Sequence, residues 1–308
     1  MDVGLNAKGD RMFFLLDLYI CLSNKIEIEK YKEILEDFKK LWGIHIHLFI
    51  ENIKDFNNYD EYIDIFNKMI DIDYSIANGF LTNSFKKDDI QIIKNKYNKN
   101  CRALEIVVKK EYLKDLDYIN FIDQVIENKI PLELYFKMDK KNCNYLDDIV
   151  EFCNTKEIKI CIVDIDKKSD NRIGKDEYRR YLNKIEEINS KRRVRISVAE
   201  CPYLNVKEDN NFIDCLGGCA GGISSCVIDE DGNVLFCYYL REVIAGNIKA
   251  DRLINIWNNS EIFKKARNRK NIKGKCSKCK YILCCGGCRA ESYFRTGDLF
   301  NEDFNCWL

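Results

Sequence analysis

The last third of the chain holds most of its cysteines, at a density that an ordinary core does not need. Ten of the sixteen cysteines lie between Cys215 and Cys306, and five fall in the thirteen residues from Cys276 to Cys288. Thiols at this density indicate either disulfides or metal ligands. The choice between the two depends on the compartment, because thiols stay reduced inside cells.

The amino-terminal region indicates the compartment, and the charge balance indicates the kind of partner. The apolar run Met12–Leu22 is short and contains Asp17, so we expect a buried strand and neither a signal peptide nor a membrane span. We therefore expect a cytoplasmic protein whose clustered cysteines bind metal. Lys plus Arg and Asp plus Glu number 50 each, so the charge indicates no nucleic-acid or membrane partner.

The first two hundred residues alternate between apolar, strand-like runs and amphipathic stretches. The predicted strands are Met12–Leu22, Gly43–Ile50, Ile72–Ala77, Ala103–Val108, Pro131–Phe136, Ile158–Val163 and Val194–Val198. The predicted helices are Ile28–Leu41, Tyr59–Ile70, Asp88–Tyr97, Asp115–Asn128, Tyr145–Cys153 and Lys175–Ser190. Such repeats predict successive right-handed βαβ units, and six of them fit an α/β fold with a partial (β/α)6 barrel. We expect this barrel over residues 1–205 and a cysteine-rich domain over 206–308, with the boundary near Pro202–Asn211.

Few residues of this half indicate chemistry. His45 and His47 share one face of a strand and could act as metal ligands or acid–base groups, or simply line that face. Asn78-Gly79 is expected to form a turn after the third strand, and Asp164 and Asp166 to lie in solvated loop ends. The isolated cysteines are expected to be small buried residues; they are Cys21, Cys101, Cys143, Cys153 and Cys161.

The cysteine-rich third contains a predicted hairpin and two close cysteine pairs. Asp231-Gly232-Asn233 separates two apolar segments, so a hairpin brings Cys237 back beside Cys219. After a predicted helix at Ser260–Arg269 come two C-x2-C pairs with five residues between them. A zinc ribbon separates its pairs by ~15–20 residues. The short spacing, the absence of nearby histidine and the adjacent glycines favour iron–sulfur clusters over zinc.

The order of these elements resembles a SPASM domain, the carboxy-terminal extension of radical S-adenosylmethionine (SAM) peptide maturases and sulfatase maturases. The matching features run from Cys219 through Gly246-Asn247-Ile248 and the C-x2-C pairs to Cys306. The resemblance implies two auxiliary [4Fe–4S] clusters. One would use Cys276, Cys279, Cys285 and Cys306, here called the second ligand set. The other would use Cys219, Cys237 and Cys288, with Cys215 as candidate fourth ligand; these four are the first ligand set. Cys226 and Cys284 do not match the motif.

The resemblance also implies a partial barrel with a C-x3-C-x2-C loop after its first strand, whose thiolates leave one iron open for SAM. Here Cys21 is the only cysteine at that place. The Gly-Gly-Glu-Pro turn of the family is replaced by Phe49-Ile50-Glu51-Asn52, whose bulky side chains would block close backbone approach to SAM. We therefore expect the fold to be kept and SAM cleavage to be lost.

Three functions remain open at this point. The chain could be an accessory subunit in the modification of ribosomal peptides, binding a peptide or a radical SAM maturase, or relaying electrons. It could instead be an active radical SAM peptide maturase that forms thioether or carbon–carbon links with an unusual or partner-supplied cluster. It could also be an interaction module stabilised by a metal.

Overall fold

The computed structural model describes residues 13–49, 61, 64–66, 77–82, 101–191, 193–199 and 218–307. Its strands are β1 Asp17–Cys21, β2 His45–Phe49, β3 Ala77–Thr82, β4 Cys101–Val107, β5 Leu132–Met138, β6 Ile160–Ile165, β7 Arg195–Val198, β8 Ser225–Ile228, β9 Asn233–Leu235 and β10 Ile244–Asn247. Its helices are α1 Ile28–Lys40, α2 Leu116–Glu127, α3 Leu146–Thr155, α4 Lys175–Ser190, α5 Leu253–Asn259, α6 Glu261–Arg267 and α7 Arg289–Thr296.

The chain forms two compact units, each built from separate stretches of sequence. The first combines Met1–Ile20, Lys25–His45 and Glu200–Leu308, and the second combines Cys21–Asn24 and Ile46–Ala199. The predicted division at residues 205 and 206 falls outside the described residues and stays a prediction.

In the second unit, hydrogen-bonded strands follow the order β2-β3-β4-β5-β6-β7. From β3 to β7 each neighbouring pair is parallel. One face of β5 buries Leu134, Phe136 and Met138, as expected where helices cover a parallel sheet. The other face carries a small apolar cluster in which Phe49 and Ile162 pack against Val107 and Tyr135.

Three helices end in the same way before the next strand. Trp42, Lys129 and Glu157 follow α1, α2 and α3 and have φ values of 63°, 57° and 56°. Glycine usually occupies this left-handed position. The repeated geometry marks successive helix-to-strand turns, as the βαβ pattern predicts.

Two sequence-based expectations about this unit are wrong. Asn78-Gly79 lies inside β3, which starts at Ala77, and the pairing with β4 is irregular between these two residues. A glycine within a strand often marks such a bulge. The Asn-Gly pair that predicted a turn therefore corresponds to an irregularity within β3. Asp164 is buried in β6, with 4% of its surface exposed, and its Oδ2 accepts a 2.8 Å hydrogen bond from the Tyr135 hydroxyl, which offsets the cost of burying the carboxylate.

In the first unit, the strand order is β10-β9-β8-β1. The hairpin of β8 and β9 is present as predicted, and β8 pairs in parallel with β1 from Asp17 to Ile20. Asp37 of α1, 1% exposed, accepts two hydrogen bonds from the Arg252 guanidinium at 2.9 and 2.7 Å, and a third from the Ile254 amide at 3.3 Å. Trp257 donates through Nε1 to the Phe13 carbonyl at 2.7 Å. The cysteine-rich region and the β1–α1 segment therefore share one core.

Candidate metal centre

Backbone amides point at the sulfurs of three cysteines in the second ligand set. Tyr281 N–H donates to Cys279 Sγ at 3.4 Å, Gly287 N–H to Cys285 Sγ at 3.3 Å, and Asp303 N–H to Cys276 Sγ at 3.4 Å. Hydrogen bonds to cysteine sulfur stabilise the thiolate and tune the potential of an iron–sulfur cluster. These donors, together with a ligand set made only of thiols, fit an iron–sulfur cluster.

The thiols of this set also influence one another. Burial raises the pKa of Cys285 to about 12; the Gly287 amide opposes this shift, and nearby Asp303, Cys306 and Cys276 add to it. The structure thus brings Cys276, Cys285 and Cys306 into one neighbourhood. Cys279 is half-buried, and its amide donates to the Cys276 carbonyl at 3.2 Å.

Asp303 links the two ligand sets, a role that the sequence reasoning did not assign. Its carboxylate accepts a short hydrogen bond from the Cys288 amide through Oδ2 and one at 2.9 Å from the Asn305 amide through Oδ1. Its own amide donates to Cys276 Sγ, and no part of the residue is exposed. An aspartate three residues before the final cysteine was the available signal.

Glycines allow the cysteine-bearing loops to approach each other. A Cβ on Gly218 would lie 1.8 Å from the Cys284 carbonyl oxygen, next to the 2.9 Å hydrogen bond from the Cys219 amide to the Cys285 carbonyl. Gly287 has φ of 63°, and a Cβ there would lie 2.8 Å from that of Asp303. Side chains at these positions would push the two ligand sets apart.

Two arginines donate hydrogen bonds to carbonyls of the cysteine-bearing loops. Arg269 donates through Nη2 to the Cys219 carbonyl at 3.3 Å, and burial lowers the pKa of its guanidinium. Arg289, 1% exposed, donates through Nη1 to the carbonyls of Leu299 and Asn301 at 3.1 and 2.6 Å. Arg289 thereby fixes the last loop, which carries Asp303 and Cys306, against the start of α7.

The remaining predicted ligands are placed as follows. Cys237 and Cys288 are buried and Cys219 is half-buried, whereas Cys215 lies outside the described residues. Phe236, next to Cys237, packs on Gly221 and Gly222. Within the described ranges, no three His, Cys, Asp or Glu side chains lie in an arrangement that could hold a metal ion. Both ligand sets therefore stay predictions.

The other cysteines and histidines occupy simpler surroundings. Cys21, Cys143, Cys153 and Cys161 are buried as predicted, and so is Cys226; the Cys101 side chain lies outside the described residues. His45 and His47 share one face of β2, alternating with buried residues. His45 Nδ1 lies 3.0 Å from Asp17 Oδ1, so this histidine has a carboxylate partner that the sequence spacing did not predict.

Bulky side chains surround the first residue of the segment that stands in place of the Gly-Gly-Glu-Pro turn. Phe49, the first residue of the substituted turn, packs with Ile162 against Val107 and Tyr135. Its carbonyl accepts a 3.0 Å hydrogen bond from Leu22 N–H, directly after the lone Cys21. Ile50 to Asn52 lie outside the described residues.

Comparison with known proteins identifies the carboxy-terminal region. Residues 219–280 match the SPASM family, an iron–sulfur cluster-binding domain. The whole chain is similar in fold to Streptococcus suis SuiB bound to S-adenosylmethionine, with a TM-score of 0.73 at 15% identity over 97% of this chain and 78% of SuiB. The chain contains a SPASM domain and has the fold of SuiB. The predicted fold, a partial α/β barrel followed by a SPASM domain, is confirmed.

Sequence relatives match this chain over about 30% of its length. The AdoMet-dependent heme synthase of Methanosarcina barkeri is 44% identical over 89 residues, which are 29% of this chain and 25% of that protein. Mycofactocin maturase MftC of Mycobacterium tuberculosis is 34% identical over 95 residues, 30% of this chain and 24% of MftC. The matches thus span about a quarter of these curated relatives. In the described ranges, no helix is both long and apolar enough to cross a membrane.

Proposed function

We propose that this chain is a cytoplasmic accessory subunit in the modification of ribosomal peptides. It holds two [4Fe–4S] clusters in its SPASM domain and does not cleave SAM alone. When bound, such clusters accept and pass on single electrons. The observation that carries the proposal is a contrast between two places. Amide donors aim at three sulfurs of the second ligand set, while Cys21, the last residue of β1, has no other cysteine near it in sequence.

The residues of the chain have distinct tasks under this proposal. The second ligand set would hold one cluster, with amides of Tyr281, Gly287 and Asp303 supporting its sulfurs. Cys219, Cys237, Cys288 and the candidate Cys215 would hold the other. Arg269 would place positive charge beside both sets, because it donates a hydrogen bond to the Cys219 carbonyl and interacts electrostatically with Cys285. Positive charge near a cluster favours its reduced form.

A peptide or a peptide maturase is the proposed partner. A structure of SuiB, with the same fold at a TM-score of 0.71, holds the precursor peptide SuiA, and MftC carries the name of a maturase. An accessory subunit that keeps this fold would bind the peptide or the maturase without supplying the radical.

An active maturase is the second candidate, because the fold matches SAM-bound SuiB over 97% of this chain. Anaerobic reconstitution followed by incubation with SAM and dithionite separates the two candidates. The accessory function predicts no 5′-deoxyadenosine from this chain alone. Catalytic release of 5′-deoxyadenosine would establish the active maturase instead, and tightly bound zinc without charge-transfer absorbance would exclude both.

A further inference from the structure

A strongly basic segment contains three of the four cysteines in the second ligand set. Residues 262–288 contain seven lysines and two arginines and no aspartate or glutamate, although the whole chain has 50 basic and 50 acidic residues. The seven lysines are all exposed. They form what is here called the lysine surface: Lys264, Lys265, Lys270, Lys273, Lys275, Lys278 and Lys280.

Three carboxylates contact this surface: Glu261 and Asp298 pair with lysines, and Glu302 accepts a 2.6 Å hydrogen bond from the Lys275 amide. Lys264 pairs with Glu261 at 3.2 Å and Lys273 with Asp298 at 2.7 Å. In the described part of the chain, Lys265, Lys270 and Lys278 form no ion pair. A positive field of this kind attracts acidic partners and speeds their association by ~10–10³-fold at low salt.

Two lysines of this surface lie next to predicted ligands. Lys278 stands between Cys276 and Cys279 in sequence, and Lys275 donates through Nζ to the Cys306 carbonyl at 2.7 Å. Both lysines belong to one 3₁₀ turn, Gly274–Lys278, in which residues three apart share a side. Leu283, 79% exposed, adds an apolar contact four residues after Cys279.

We propose that the lysine surface docks an acidic electron-carrier protein, which reduces the iron–sulfur site held by the second ligand set. This inference rests on the proposed function. The position of the lysines favours a carrier over an acidic peptide, because electron transfer requires the donor close to the site whereas peptide recognition does not. One electron leaves the reduced carrier and enters the site, and no bond forms or breaks. Encounters of this type bury less than ~1,200 Å² and depend on charge for their rate.

The test uses the reconstituted full-length chain and an acidic plant-type [2Fe–2S] ferredoxin as the probe. Stopped-flow absorbance follows oxidation of the reduced ferredoxin over a range of salt concentrations, and titration calorimetry follows binding of the oxidised form. The test variant is Lys265→Glu with Lys270→Glu and Lys278→Glu. The control is Lys140→Glu with Lys141→Glu and Lys175→Glu, three exposed lysines of the second unit whose reversal changes the net charge equally.

We expect the wild-type rate constant to fall steeply with salt, and the test variant to lose about tenfold or more at low salt. The control variant should stay within about threefold of wild type, because its charges lie outside the patch. Equal losses in both variants, or a wild-type rate independent of salt, would overturn the inference. So would tighter binding of a short DNA duplex or an acidic peptide than of ferredoxin.

Two further measurements keep the outcomes separate. Iron content reports the proposed function, whereas calorimetric binding reports docking even in chains that lack a cluster. If the triple variant does not fold, Lys278→Gln is used instead, and an unchanged rate and salt dependence in that variant would count against the inference.

Discussion

Asp303 accepts a hydrogen bond from the Cys288 amide through its carboxylate and donates one to Cys276 through its own amide, so one buried residue contacts cysteines of both ligand sets. Its amide donates to Cys276 Sγ at 3.4 Å, and its second oxygen accepts from the Asn305 amide at 2.9 Å. The loop before the final cysteine thus contacts both ligand sets.

Removal of this carboxylate should disturb both ligand sets. Asp303→Ala leaves two buried amides without acceptors, at a cost of about 2–4 kcal/mol in the free energy of unfolding. Anaerobic urea unfolding and iron analysis check this. Asp298→Ala is the matched control on the same loop, because its carboxylate is one-third exposed and pairs with Lys273 at the surface. Equal effects of the two substitutions would contradict the role given to Asp303.

The contact between Asp37 and Arg252 should stabilise the first unit measurably. Arg252→Ala removes two of the three donors to the buried Asp37 carboxylate and leaves only the Ile254 amide. We expect a loss of about 2–3 kcal/mol in the free energy of unfolding, less than for a fully buried pair, because the arginine is partly exposed. Trp42, Trp257 and Trp307 all lie in this unit, so fluorescence during urea unfolding reports it. The exposed pair of Arg241 and Glu230 is the control, and Arg241→Ala should cost less than about 1 kcal/mol.

The left-handed residue after α3 offers a stabilising substitution. Glu157 has φ of 56°, and Glu157→Gly relieves that strain, with an expected gain of about 0.5–1 kcal/mol. The neighbouring Lys156 has φ of −92°, so Lys156→Gly should destabilise by a similar amount. Thermal unfolding by circular dichroism compares the two, and a gain from both substitutions, or from neither, would argue against strain at Glu157.

Loss of metal should affect the two units unequally. The second unit has its own core around Leu134, Phe136 and Val163, whereas the buried apolar residues of 270–288, besides cysteines, are Ile272 and Tyr281. We expect chelated protein to exchange amide hydrogens fast from residue 270 to 307, because metal binding supplies folding free energy there. Residues 101–199 should exchange as in the metal-bound chain. Equal loss of protection in both regions would contradict this division.

Sequence patterns predicted the regular elements well. Helix α4 has the predicted bounds, Lys175–Ser190, and the hairpin around Gly232 is present. Both follow from local signals, namely apolar spacing and turn residues. The burial of Asp164 did not follow, because its partner Tyr135 comes from another strand, 29 residues away.

The cysteines of the candidate site could be predicted from the sequence, whereas the residues that hydrogen-bond to the cysteine-bearing loops could not. Cysteine spacing and the resemblance to SPASM domains predicted the two ligand sets, which remain predictions. The roles of Asp303, Arg269 and Arg289 depend on loops without periodicity that meet only after folding. Apart from the position of Asp303 three residues before the final cysteine, no local pattern marks these residues.

Iron and sulfide analysis of the anaerobically reconstituted chain tests the central claim, that both ligand sets hold [4Fe–4S] clusters and no third site exists. The account predicts about eight irons per wild-type chain and about four in Cys285→Ala. About twelve irons in wild type, or an unchanged iron content in Cys285→Ala, would contradict it.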